Sequence, residues 1–174
     1  MCAWPVLALL TAAAVWLALG GPGPVPIARS APLPEVLVLS NQARRVLALQ
    51  YRPSPTELMG CMIGEIRGDT VTVERIAPAD VDPSHSTATH VVPDRTCEQA
   101  GWAGTVGTIH THPTAERCWY FFPGTQVVTS DGQSFMGNPY PVDAILCGNQ
   151  VVWISRRMVQ KHVRLGAAES EPKR

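Results

Sequence analysis

Runs and alternations of apolar residues divide the chain into recognisable segments. From Ala3 to Leu19 every residue except Thr11 is apolar, with Pro5 near the start. That length sits between a signal-peptide core and a membrane span. Gly20 to Pro34 is rich in Pro and Gly and reads as a linker, because Pro removes backbone donors and neither residue supports a regular element. Glu35 to Leu39 reads as a short strand. Ser40 is placed to cap a helix from Asn41 to about Tyr51, with Val46, Leu47 and Leu49 as core contacts and Pro53 and Pro55 ending it. Glu57 to Ile66 is mostly apolar, as a buried strand is, and Arg67-Gly68-Asp69 makes a turn at which Gly68 can take a positive φ. Thr70 to Ile76 then alternates and pairs with the run before it. After a polar, irregular stretch from Asp80 to Ala100, Trp102 to His110 predicts another strand. Thr114 to Val127 predicts a long loop, and Ser130 can cap a short helix to Phe135. Val142 to Cys147 and Val151 to Ser155 predict a hairpin around Gly148-Asn149. Arg156 to Arg174 predicts a charged, partly helical, fraying tail.

Four segments follow: a hydrophobic leader over 1–20, a linker over 21–34, one domain over 35–155 and the tail over 156–174. A chain of 174 residues has room for one core. Its 45% apolar and 16% charged residues are those of a globular protein. Fourteen basic residues balance fourteen acidic ones, and no basic stripe carries interleaved aromatics, so nucleic acid is not an expected partner. No Lys or Arg precedes the leader; Arg29, Arg44 and Arg45 follow it. A cleaved signal with a cut near Ala28-Arg29-Ser30, an anchor with the domain inside and an anchor with the domain outside all fit this pattern. The chain is therefore expected to be exported, or membrane-associated through residues 3–19. Cys2, Cys61, Cys97, Cys118 and Cys147 form no C-x-x-C pair, which argues against a zinc ribbon or a thioredoxin-type site. Outside the leader the cysteines could form two disulfides or remain thiols; Cys61 and Cys147 sit in apolar runs, where buried thiols are expected.

The chemistry concentrates at His110-Thr111-His112-Pro113. Side chains two apart on a strand share a face, so both imidazoles can reach one ion. Catalytic zinc takes three protein ligands and keeps a position open. Asp131, at the start of the short helix, is the expected third, with Cys118 as a weaker rival in the aromatic-flanked loop. Glu57 at the edge of an apolar strand is costly unless something uses it, and a general base acting on the attacking water is such a use. Taken alone, the His pair could be surface histidines and Glu57 a solvated strand-edge residue. His85 and His90 lie in a polar stretch and read as solvated, and His162 receives no role. Trp119 to Phe122 could form a substrate lip or simply pack the loop.

Glu57 with Gly60 and Gly64, His110-Thr111-His112-Pro113, and Ser130-Asp131-Gly132-Gln133-Ser134-Phe135, in that order, resemble the JAMM/MPN-plus metallopeptidases across Glu35 to Ser155. The resemblance implies an α/β fold, a mixed curved β-sheet flanked by helices with a cytidine-deaminase-like architecture. It implies Zn2+ held by His110, His112 and Asp131, Glu57 as catalytic base, and a peptide or a ubiquitin-like protein conjugate as substrate. Two departures stand out. The interval from His112 to Asp131 is long for the family and requires an insertion in the Thr114–Val127 loop. The position of the family's oxyanion-stabilising serine is Val128, so Ser130, Thr129, Thr125 or a backbone N–H must substitute; Ser130 is the expected catalytic partner. A register that kept Ser130 at the family position would put the amide of Gln133 in place of the aspartate, and an amide is a poor zinc ligand. A non-catalytic MPN-type interaction module is the competing expectation. A deaminase-like hydrolase is disfavoured by the missing C-x-x-C.

Overall fold

The computed structural model describes residues 33–50, 56–113 and 117–166. The hydrophobic leader, nearly all of the linker and the end of the tail lie outside these residues. Among the described residues no helix is long and apolar enough to cross a membrane.

Among the described residues seven strands and two helices follow one another: β1 (Val36–Leu39), α1 (Asn41–Gln50), β2 (Met59–Arg67), β3 (Thr70–Pro78), β4 (Thr105–Thr111), α2 (Ser130–Gly137), β5 (Val142–Cys147), β6 (Gln150–Ser155) and β7 (Lys161–Arg164). They build one mixed sheet in the order β1-β3-β2-β4-β5-β6-β7. β1 with β3 and β4 with β5 run parallel; the other neighbours are antiparallel. The β2–β3 hairpin turns at Gly68, whose φ of 60° is open to a residue without a Cβ. Register shifts at Met62/Ile63 against β4 and at Ile63/Gly64 against β3 kink β2, and such irregularities increase local twist. The sheet curls until its edges nearly meet. Arg44 of α1 donates to the carbonyls of Arg164 and Leu165 at 2.7 and 2.9 Å, Lys161 donates to the Glu35 carbonyl, and Ser155 donates to the Pro34 carbonyl.

A helix covers each face. Ser40 caps α1 by accepting from the Ala43 amide at 3.0 Å. Ala43 and Leu47, one turn apart, sink into a core with Met62, Val71, Val73, Leu146 and Trp153. Leu49, expected in that core, instead lies on the helix's outer face and is 58% exposed. On the opposite face Phe135 of α2 packs with Tyr120, Ile145, Val152 and Ile154. All six residues of β5 are consequently buried, as expected for a central strand covered on both sides.

The tail expectation is corrected. From Lys161 the chain forms β7, not a fraying helix, because Val163 and Leu165 pack onto the α1-side core while Lys161, His162 and Arg164 decorate a short edge. The thiol expectation is corrected too. Cys61 bonds Cys97 and Cys118 bonds Cys147. Both pairs tie an irregular segment to a strand, which an apolar run around one cysteine cannot reveal. The disulfides are compatible with an exported protein.

Candidate metal centre

β4 lies between β2 and β5 and delivers the histidines. Thr108, His110 and, just past the strand end, His112 follow the alternation that puts every second side chain on one face. The main chain around them is fixed on both sides. The Thr111 amide donates to the Leu58 carbonyl at 2.9 Å, the Leu58 amide donates to Thr111 Oγ1 at 2.9 Å, and the His112 amide donates to the Leu146 carbonyl at 3.2 Å. Glu57 is thereby held beside His112, with its own amide donating to the Thr87 carbonyl at 2.8 Å. Glu57 precedes β2, which starts at Met59.

α2 brings the third group. Its N-cap is Thr129, whose hydroxyl accepts from the Gly132 amide, and not Ser130, which is the first helical residue. The Thr129 hydroxyl also donates to the Trp119 carbonyl at 3.0 Å, and its amide donates to the Tyr120 carbonyl at 3.0 Å. The loop therefore docks the start of α2 over the end of β4. Asp131, in the first turn, then faces both imidazoles. The Nε2 atoms of His110 and His112 are 3.2 Å apart; His110 Nε2 is 3.9 Å from Asp131 Oδ1 and His112 Nε2 is 3.5 Å from Asp131 Oδ2. Glu57 Oε1 lies 3.7 Å from His112 Nε2.

These separations suit a tetrahedral ion. Bonds of about 2.0–2.1 Å give ligand-to-ligand edges of roughly 3.3 Å. Two neutral imidazoles and one carboxylate are a donor set of catalytic zinc. Burial pushes the His110 imidazole down to about 4, an effect that Asp131 opposes and His112 reinforces, so the ring is neutral as a ligand must be. Glu57 is pushed up to about 7, first by burial and then by the charge of Asp131. A possible metal-binding site is thus formed by residues scattered along the sequence, His110, His112 and Asp131.

The centre opens into a cleft of about 550 Å³ whose lining includes Glu57, His110, Ser130, Asp131, Arg95 and Asp143. Asp143 of β5 was not singled out by the sequence. It accepts from Thr108 Oγ1 at 2.5 Å and from the Tyr120 phenol at 2.9 Å, and Asn138 donates to Thr108 at 2.9 Å. A lone Asp in an apolar run was the only available signal. His90, read as solvated, is exposed but stands on the cleft wall. His85 pairs with Asp82 on the surface at 2.6 Å.

Within the aromatic group Tyr120 serves packing, whereas Phe122 is half exposed and Trp119 and Phe121 line a separate cavity. Tyr120 is fully buried, with its ring edge-on to Phe135, and none of Trp119 to Phe122 lines the cleft. The substrate-lip alternative is therefore not met. Cys118, the rival ligand, is bonded to Cys147; His112, Cys118 and Cys147 nevertheless bring ligand atoms within 4.8 Å of one another. Val128 is half-buried and bridges Phe121, and offers no hydroxyl at that point.

No family model and no curated protein matches the chain. Among solved structures it is similar to the solution structure of protein DSY2949 from Desulfitobacterium hafniense, with 18% sequence identity and a TM-score of 0.45, over 75% of this chain and 90% of that one. A likeness that loose carries no argument about the site.

Proposed function

We propose that the protein is a zinc-dependent metallopeptidase of the JAMM type, hydrolysing a peptide or isopeptide amide in a substrate such as a peptide or a ubiquitin-like protein conjugate. One observation carries this reading: two imidazoles and a carboxylate from β4 and α2 stand at tetrahedral edge lengths, with a second carboxylate beside them. A zinc ion held by His110, His112 and Asp131 supplies a Lewis acid for the scissile carbonyl and lowers the pKa of a water to about 7. Glu57, buried and 3.7 Å from His112 Nε2, accepts a proton from the attacking water and returns it to the leaving amine. Ser130, on the cleft wall beside Asp131, is a hydroxyl for the developing oxyanion in place of Val128.

Glu57→Gln tests the assignment. It removes the base and keeps the shape, so turnover should fall by about 10²–10⁴ while zinc stays at one per chain. Undiminished turnover in that variant would reject Glu57 as the base. Val128 favours a second reading, a non-catalytic interaction module on the same framework. A folded chain that takes up no zinc in titration, or whose bound zinc survives His110→Ala, would support it over the enzyme.

A further inference from the structure

The hydrolytic reading makes no use of the Cys118–Cys147 disulfide, although an imidazole nitrogen of His112 lies within 4.8 Å of both sulfurs. No comparable grouping surrounds Cys61–Cys97 among the described residues. We propose that reduction of Cys118–Cys147 creates a three-ligand His112/Cys118/Cys147 metal site, which takes His112 away from the centre with His110 and Asp131 and silences that centre by leaving it one ligand short. The proposal rests on the metal-centre reading above for its consequence, and on its own geometry for the site.

Three observations carry it. His112 is shared by both clusters, so the two sites compete for one ring. Its main chain is bonded to the Leu146 carbonyl, next to Cys147 at the end of β5, so a movement of one sulfur is felt at the ring. The disulfide also forms part of the wall of a second cavity of about 460 Å³, with Trp119, Pro123, Gln160 and His162, which gives a small thiol a place to attack.

The chemistry balances with a thiol as reductant. A thiolate attacks one sulfur to give a mixed disulfide, and a second thiol releases it, yielding two cysteine thiols and one external disulfide. Metal binding then displaces the two thiol protons. The freed thiolates share an ion with bonds of about 2.3 Å. Two thiolates with one imidazole are a stronger set for zinc than two imidazoles with a carboxylate, so the ion moves towards the sulfurs and His110 with Asp131 is left short of the three ligands that catalytic zinc takes.

Cobalt(II) in place of zinc reports the ligands directly. The oxidised full chain should bind one cobalt with weak visible bands only, and His110→Ala should abolish them. A phosphine reductant, which adds no sulfur ligand, should bring up an intense near-ultraviolet sulfur-to-cobalt band. Cobalt should stay at one per chain, turnover should be lost, and reoxidation should restore it. The band should persist in Cys61→Ser/Cys97→Ser and vanish in Cys118→Ser. Reduction without a band overturns the proposal, as does a band that survives Cys118→Ser. So does a band untouched by His112→Ala, since thiols of an unfolded chain would give one without that ring. Failure of the hydrolase reading looks different: the oxidised chain then binds no cobalt, or binds it and hydrolyses nothing, whatever reduction does.

Discussion

Glu57 and Asp143, two of the carboxyl groups on the cleft wall, are under different constraints. Glu57 meets Asp131 and His112, whereas Asp143 is held by two hydroxyls and sits at the base of the β4–β5 pair. Burial dominates at Asp143 and pushes its carboxyl up from 3.8 to about 6, against the pull of Thr108, Tyr120 and the Ala144 amide. Between those two pH values the folded chain holds a proton that the unfolded chain has lost. Stability attributable to this group therefore falls as pH rises from 3.8 to about 6, and the penalty is complete above that. At about 1.4 kcal/mol per unit, the penalty is on the order of 2–3 kcal/mol. Asp143→Asn removes the titration but leaves one carbonyl oxygen for two hydroxyl donors, a cost of about 1 kcal/mol. Denaturant unfolding across the acid range should show the wild type losing stability towards neutrality relative to the variant. Parallel pH profiles would show that Asp143 has no raised pKa in the folded chain.

At the scale of elements, the site depends on how closely α2 approaches the loop before it. A Cβ on Gly132 would come within 2.3 Å of Val128 Cγ1 and 2.5 Å of the Tyr120 carbonyl, so Gly132→Ala must push the first turn outward, and Asp131 with it. Zinc affinity, measured by competition with a chromogenic chelator, should fall about 10–100-fold, comparable to the loss of a supporting contact at a metal site. Gly137→Ala, where a Cβ meets nothing within 4 Å, should leave affinity unchanged. Equal affinities in all three chains would separate Asp131 from metal binding. The same helix marks where the sequence was readable. Alternation in β3, the Gly68 and Gly148-Asn149 turns, and the Ser40 cap are local signals, and they placed β2, β3, β5, β6 and α1 to within a few residues. His-x-His on a strand is local as well. The buried Tyr120, both cysteine pairings and the Asp143 network depend on partners farther along the chain, and no period or turn residue encodes those. β7 escaped because a four-residue edge strand can be mostly charged.

In the molecule as a whole, the proposed metal ligands and the cleft wall are held by separate means, and this separation can be measured. His110, His112 and Asp131 depend on β4 and α2, in the middle of the sheet. The facing wall, which includes Arg95 and Cys97, is an irregular segment. It is fastened by Cys61–Cys97, by the Cys97 amide donating to the Tyr140 phenol at 2.9 Å, and by that phenol donating to Glu98 at 2.5 Å. The disulfide spans 36 residues, and closing a loop of that length restricts the unfolded chain by about 3–4 kcal/mol. Cys61→Ala/Cys97→Ala should therefore lower the melting temperature by about 10 °C. The wall would then be positioned by hydrogen bonds, packing and the Arg95–Asp80 ion pair without a covalent tie, and substrate would pay the cost of ordering it, so KM should rise more than kcat falls. Zinc stoichiometry and affinity should be unchanged, because no ligand sits on the released segment. Calorimetry, steady-state kinetics and a zinc titration on the same preparation decide the matter. A variant that loses zinc together with its substrate affinity would mean that wall and ligands form one cooperative unit.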